Sequence, residues 1–207
     1  MNSDLSPKLP EPRRRNAAAT RAAILASARR AFARAGYDGA GVREIAAGAG
    51  VTAMLVNRYF GSKEKLFGEV CAETMRDPVI LTAENLASED FPTAFARALV
   101  KVTTPGETPL DGFLILLNSA SSPRAAEIGR EWLRRGHQSA LEHAIAGPLA
   151  KERAAVALAL VAGLQVMRQM MEAEGLADAT TTDLEAILVP VARALFDLRP
   201  EGAAEAP

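Results

Sequence analysis

Between Val42 and Tyr59 the sequence gathers side chains suited to reading nucleic acid. Val42 to Ala49 and Ala53 to Tyr59 both show helical spacing, and they are joined by Ala49-Gly50-Val51, where Gly50 is free to turn left-handed. Thr52 is a good N-cap for the second segment. Ile45, Val51 and Val56 can lock the two helices together, which leaves Ala53, Asn57 and Arg58 on the outer face. In a helix lying in the major groove, an asparagine amide can pair with an adenine edge and a guanidinium can fork onto guanine. The pattern is that of a helix-turn-helix, although many helical hairpins share it.

Other chemistry is sparse. The sequence holds no glycine-rich phosphate loop, nucleophile elbow or metal-ligand cluster, so neither an enzyme nor a cofactor or metal is expected. His137 and His143 are six residues apart, on opposite faces of one helix, which disfavours a shared metal. The single cysteine, Cys71, cannot form an intrachain disulfide and reads as small buried filler. Charge is more informative. The 207 residues carry 24 Lys+Arg and 25 Asp+Glu, a net of −1, yet residues 1–65 hold 12 basic against 5 acidic side chains and the remainder is net negative. A phosphate backbone responds to the local field of the surface that touches it, so this basic N-terminal part suits DNA where the whole-chain balance does not.

The elements around the motif read as helices throughout. There are 42 alanines and few aromatics, a composition that favours helix and disfavours an all-β fold. Residues 1–15 contain three prolines and read as a flexible basic arm ending in Arg13-Arg14-Arg15, suited to a minor groove. A first helix starts at an Asn16 cap, carries Ile24, Ala28, Ala31, Phe32 and Ala35 at helical spacing, and ends at Gly36. Gly61-Ser62 ends the third helix and caps a fourth, which is expected to reach Arg76. Later helices are expected at 79–87, 92–101, 109–120, 123–146, 148–174 and 181–198, the last kinked at Pro190, before a disordered tail at 201–207. No apolar run is long enough for a membrane span and no leader is seen, which gives a cytoplasmic expectation.

Three stretches together are more specific than the turn alone. They are Ile24-Leu25-x-x-Ala28-x-x-x-Phe32-x-x-x-Gly36-Tyr37, Val42-Arg43-Glu44-Ile45-Ala46-x-x-Ala49-Gly50-Val51-Thr52, and Arg58-Tyr59-Phe60-x-Ser62-Lys63-Glu64-x-Leu66-Phe67. This region resembles the N-terminal DNA-binding domain of the TetR family of transcriptional regulators. The resemblance implies an all-α fold: a three-helix helix-turn-helix DNA-binding domain at 16–62, then a helical ligand-binding and dimerisation domain at 63–200. It also implies a homodimer. Family contacts to DNA fall on Arg43, Thr52, Ala53, Met54, Asn57, Arg58, Tyr59 and Lys63. Many members carry a lysine where Ala53 stands and an aromatic where Asn57 stands, so a phosphate or guanine contact and a phosphate-reaching phenol are absent here. Ala53, Met54 and Leu55 can offer apolar contact to thymine methyls, and Tyr59, Thr52 and Lys63 suit phosphates.

In the C-terminal part, Ala154 to Leu164 has no polar side chain, which requires burial on more than one side. The stripe Val156/Leu160/Leu164/Met167/Met171 is expected to face its own core and Ala155/Ala159/Ala162/Val166 a twin helix, so 148–174 and 181–198 are the expected dimer helices. Phe113, Leu117, Trp132, Met167 and Met170, with polar Asn118, His137 and Gln165, are candidate linings of a small-molecule pocket. The expectation is a dimeric repressor on a palindromic double-stranded DNA operator, released by a small-molecule inducer. The alternative is a DNA-binding dimer that is constitutive or controlled by a protein partner.

Overall fold

The structure is a computed structural model that describes residues 12–74, 76, 78–106 and 110–197, with side chains from Asn16 onward. The Arg13–Arg15 side chains, residues 1–11 of the expected arm and the tail lie outside the described residues. Every regular element among the described residues is helical.

Four helices build the N-terminal head: α1 (Pro12–Gly39), α2 (Val42–Gly48), α3 (Ala53–Phe60) and α4 (Lys63–Thr74). Helix α1 begins at Pro12 rather than at an Asn16 cap. Proline suits the first helical position because its φ is preset and its missing N–H would be unbonded there anyway. Asn16 lies inside the helix, where its carbonyl accepts from Thr20 Oγ1 at 2.8 Å. Gly36, at φ 65° and ψ −177°, breaks the helical path as expected.

Seven helices follow: α5 (Ala83–Leu86), α6 (Phe91–Val102), α7 (Asp111–Ser119), α8 (Pro123–Leu133), α9 (Ser139–Ala144), α10 (Ala150–Leu164) and α11 (Thr181–Phe196). The helix expected over 79–87 shrinks to α5. Thr82 caps its start by accepting from the Asn85 N–H, and Asn85 Nδ2 donates to Ile80 O at 2.7 Å, which fixes the preceding residues outside the helix. The expected 123–146 helix contains a π-helical turn, Arg134–Gln138, between α8 and α9. The expected 148–174 helix starts only after Leu149, whose φ is 57°, and passes from α10 into a π-helical segment, Gln165–Met170. Helix α11 runs on through Pro190.

Two cores hold these helices. The first joins Ile24, Phe32, Ile45, Val56, Phe60, Leu66 and Phe67 of the head to Ile115 of α7 and Ala125 of α8. Phe32, Tyr37 and Phe67 form its aromatic centre, with edge-to-face rings at 5.1 Å. The second joins α6, α9, α10 and α11 through Phe95, Leu99, Leu141, Ala157, Leu188 and Phe196. α1 lies along α7, and α6 along α11.

The second core contains two buried arginines. Arg153 donates to the carbonyls of Phe196 at 2.6 Å, Ala146 at 2.8 Å and Pro148 at 3.0 Å, and also to Leu195 O. It thereby satisfies the C-terminal carbonyls of α11 that helix geometry leaves unbonded. Arg168 does the same for α6, donating to Val100 O at 2.7 Å as well as to Leu176 O. These arginines overturn the expected division of the α10 surface. Arg153, Ala154, Ala157, Leu164 and Arg168 face inward, whereas Val156, Met167 and Met171 are exposed at 53%, 46% and 67%. Only Leu164 of the expected inward stripe is fully buried, and its partly buried neighbour Leu160 packs beside it. Hydrogen bonding to helix ends, rather than side-chain apolarity, selects the inner face. No helix among the described residues is long and apolar enough to cross a membrane.

Candidate nucleic-acid interface

Local sequence explains how α3 is presented. Gly50 adopts φ 67°, the turn conformation that costs a side-chain-bearing residue most. Thr52 is extended at φ −90° and ψ 153°, and its hydroxyl accepts from the Leu55 N–H at 3.3 Å. Gly61, at φ 80°, ends α3, and Ser62 Oγ accepts from the Lys65 N–H at 3.1 Å to open α4. Beneath this frame Val56 and Phe60 enter the first core. The α1–α2 contact is also close: Ser27 Oγ donates to Ile45 O at 2.8 Å, and a β-carbon at Gly48 would overlap that hydroxyl.

The outer face of α3 then follows. Met54 is 81% exposed, and Thr52, Asn57 and Arg58 are exposed, with Ala53 and Tyr59 half-buried at the edges. Leu55, Arg58 and Tyr59 line a shallow cleft of about 340 Å3. Arg43 is exposed at the start of α2. Among the described residues neither Arg43 nor Arg58 has a carboxylate within ion-pairing distance, whereas Arg21 pairs with Glu69 and Arg34 with Glu44. Arg43 and Arg58 are therefore charged groups left available on the outer surface, flanked by basic groups neutralised within the fold. Lys63, at the N-terminus of α4, lies 4.7 Å from the centroid of the Tyr37 ring and within 3.5 Å of Asp38 O. That seat orients its ammonium without cancelling its charge. Tyr59 also leans on the core, its ring 6.4 Å from that of Phe60.

The expected pocket residues are dispersed. Phe113, Leu117 and Asn118 lie on α7, and Asn118 commits its Nδ2 to Ala33 O at 2.7 Å. Trp132 packs against the first core and lines an open groove of about 320 Å3 on α8 with Arg124, Glu127, Ile128, Glu131 and Arg135. His137 sits in the π-helical turn, and burial pushes its imidazole below the ordinary value. Gln165, Met167 and Met170 belong to the other π-helical segment, with both methionines exposed. Of the eight, only Trp132 lines that groove. Burial pushes the Cys71 thiol up to about 12, which keeps it protonated and unreactive.

Sequence reasoning missed the contacts that fasten the head to α7. Gly36 was legible as a helix terminator, but not as a point where another backbone touches. Nothing local marked Asn118 and Ser119 as its partners.

A capped helix exposed on a locked helix-turn-helix fits a DNA-binding regulator, and comparison with known proteins agrees. The family profile described as bacterial regulatory proteins, tetR family, matches residues 24–70. A second, described as the tetracyclin repressor-like C-terminal domain, matches residues 89–196. The chain belongs to the TetR family of transcriptional regulators. Similar solved structures include a TetR-family regulator from Streptomyces coelicolor A3, 25% identical, which covers 93% of this chain and 100% of its own at a TM-score of 0.56. Salmonella enterica GusR is 18% identical over 93% and 100% of the two chains, with a TM-score of 0.70. AibR, solved with isovaleryl coenzyme A and operator DNA, is 19% identical over 86% and 98%, with a TM-score of 0.60. No curated protein matches the chain.

Proposed function

We propose that this DNA-binding regulator acts as a homodimeric repressor on a palindromic operator and leaves it when a small molecule binds the helical body. The observation that carries the DNA half is α3 itself: Asn57 and Arg58 exposed on a helix whose underside is locked and whose start is capped. Arg58 reads a guanine or grips a phosphate, Asn57 meets an adenine edge, and Met54 meets a thymine methyl. Arg43, Thr52, Tyr59 and Lys63 hold the phosphates that set register, while Ala53 allows close approach.

The dimer half rests on apolar surface that one subunit leaves uncovered. Val156 on α10, Met167 in the π-helical segment that follows it, and Ile187 and Val191 on α11 are 53%, 46%, 62% and 40% exposed. A self-complementary pairing of α10 and α11 from two copies would bury these faces in a four-helix interface. Two recognition helices about 34 Å apart then read successive major grooves. AibR, solved with both an acyl coenzyme A and operator DNA, supports a small-molecule effector as part of the reading.

Selection of bound duplexes from a random pool at stated salt tests the operator, and sedimentation tests the dimer. The expected result is a palindrome and a two-subunit mass. Titration of metabolites and drugs against the selected duplex tests release, and a full panel without loss of binding would defeat the inducer half.

A further inference from the structure

The strongest interdomain feature is the seam between the end of α1 and the end of α7. At Gly36 the chain takes a left-handed turn directly against α7, where a β-carbon would overlap the Asn118 carbonyl oxygen. Either side of that point is hydrogen-bonded across the seam. Asn118 Nδ2 donates to Ala33 O at 2.7 Å, and the Tyr37 N–H donates to Ser119 Oγ at 2.9 Å. Ser119 is 2% exposed and Gly36 is buried, so the centre of the seam excludes water, with Asn118 at its exposed rim. One step further along, Ser122 Oγ donates to Asp38 Oδ1 at 3.2 Å.

These bonds also answer a backbone problem. When Gly36 leaves the helical path, carbonyls in the last turn of α1 lose their intrahelical partners. A terminator facing solvent would give them to water. Here an amide from α7 takes the Ala33 carbonyl, and a hydroxyl of α7 receives the Tyr37 N–H. A hydrogen bond made through a side chain on another element fixes that element's position along and around the helix. Two such bonds flanking a backbone contact leave little freedom for either sliding or rolling.

The consequence reaches α3. Ser27 and the close approach at Gly48 hold α2 on α1, and α3 shares their core. Orientation set at the α1–α7 seam is thus transmitted to the recognition helix through rigid contacts.

We propose that Asn118 and Ser119 are positioning residues for operator recognition: with Gly36 they fix the angle of the head on the body and so set the half-site spacing that a dimer accepts. The proposal rests on the dimeric reading above. One inserted base pair moves a half-site by about 3.4 Å and turns it by about 34°, which a rigid head cannot follow. A head held less firmly at the seam, though still packed on the first core, can follow it in part, at the expense of affinity for the correct spacing. Neither residue touches DNA in this account, so binding to one isolated half-site is independent of them.

The experiment uses the full chain and duplexes made from the half-sites selected by the wild-type protein. They carry the selected spacing, one or two inserted base pairs, or a single half-site. Asn118→Asp keeps the side-chain shape but removes the donor, and Ser119→Ala removes the acceptor, with Ser119→Thr as the conservative control. The wild type should lose about tenfold or more in affinity per inserted base pair, a factor equal to about 1.4 kcal/mol. Asn118→Asp and Ser119→Ala should cut that discrimination to about threefold or less and weaken the selected spacing about fivefold, within the range for losing one intramolecular hydrogen bond. Single half-site affinity should stay unchanged, and Ser119→Thr should restore wild-type discrimination. Folded variants that keep full spacing discrimination would overturn the proposal, as would equal losses on single and paired half-sites. Should Ser119→Ala fail to fold, Asn118→Asp, which alters only the exposed rim of the seam, decides alone. Selection of one unpaired half-site by a monomer would instead defeat the dimeric reading, and the spacing role with it.

Discussion

The surroundings of the recognition helix and the last turns of α6 and α11 are closed by different means. Around the recognition helix, ends are closed by neighbours in sequence: Thr52 caps α3, Ser62 caps α4, and Gly50 and Gly61 turn the chain, while the end of α1 borrows its partners from α7. In the body, α11 and α6 are finished by Arg153 and Arg168, guanidinium groups that arrive from 42 and 68 residues away in the bonds to Leu195 and Val100. Local caps keep the head's surface free of internal obligations, so that Arg43 and Arg58 remain available on its outside. Remote caps tie the body into one unit, at the cost of burying charge.

The largest expected effect tests that contrast directly. Arg153→Met leaves four carbonyl contacts unmade in a site where the side chain is almost fully buried. It should lower stability by about 3 kcal/mol or more, measured by urea unfolding. A loss as small as that of a surface cap would erase the distinction between the two regions. Next, Arg58→Ala should cost about 1–3 kcal/mol of binding at one operator position while leaving the unfolding midpoint in place, as binding and melting on the same sample will show. If neither affinity nor sequence preference changes, Arg58 does not read a base. Thr52→Ala should cost about 1 kcal/mol of stability, a third or less of the Arg153 effect. Lys63→Ala should weaken all duplexes alike and flatten the salt dependence by about one unit of slope, measured by titration at several salt concentrations.

The smallest effect is a pH slope in the body. Burial pushes the His137 imidazole down, so the unfolded chain takes up a proton more readily than the folded one. Its contribution is therefore complete above the unfolded pKa of about 6.5 and declines as pH falls from there toward the folded value. His137→Gln should flatten the change in urea midpoint between about pH 7.5 and 5.5. An unchanged slope would place the titrating group elsewhere.

The same contrast explains what could be read from the chain. Helices α2 and α3, the turn at Gly50, the caps at Thr52 and Ser62 and the exposed face of α3 are all set by residues within four positions of one another. Propensity and periodicity act over that range. In the body α6, α7 and α11 were legible as single helices, but the interruptions that follow α8 and α10 were not. The π-helical segments at Arg134–Gln138 and Gln165–Met170 have no proline or positive-φ glycine to announce them. The wrong inner stripe on α10 has the same origin. Val156 and Met167 look more apolar than Arg153 and Arg168, yet the arginines are inside because distant carbonyls need donors. The role of Asn118 in the seam was hidden for a similar reason: its partner, Ala33 O, lies 85 residues back.

The first core has a bearing on how the chain comes off the ribosome. Ile115 of α7 and Ala125 of α8, each 1% exposed, complete the packing of Phe32 and Phe67 around helices finished some fifty residues earlier. The nascent head must therefore wait, with part of its apolar floor open to water, until α8 has been synthesised. A fragment ending at Thr74 carries the whole DNA-reading surface and lacks the lid of its own interior, so a clean excision of the reader would give a sticky, aggregation-prone polypeptide.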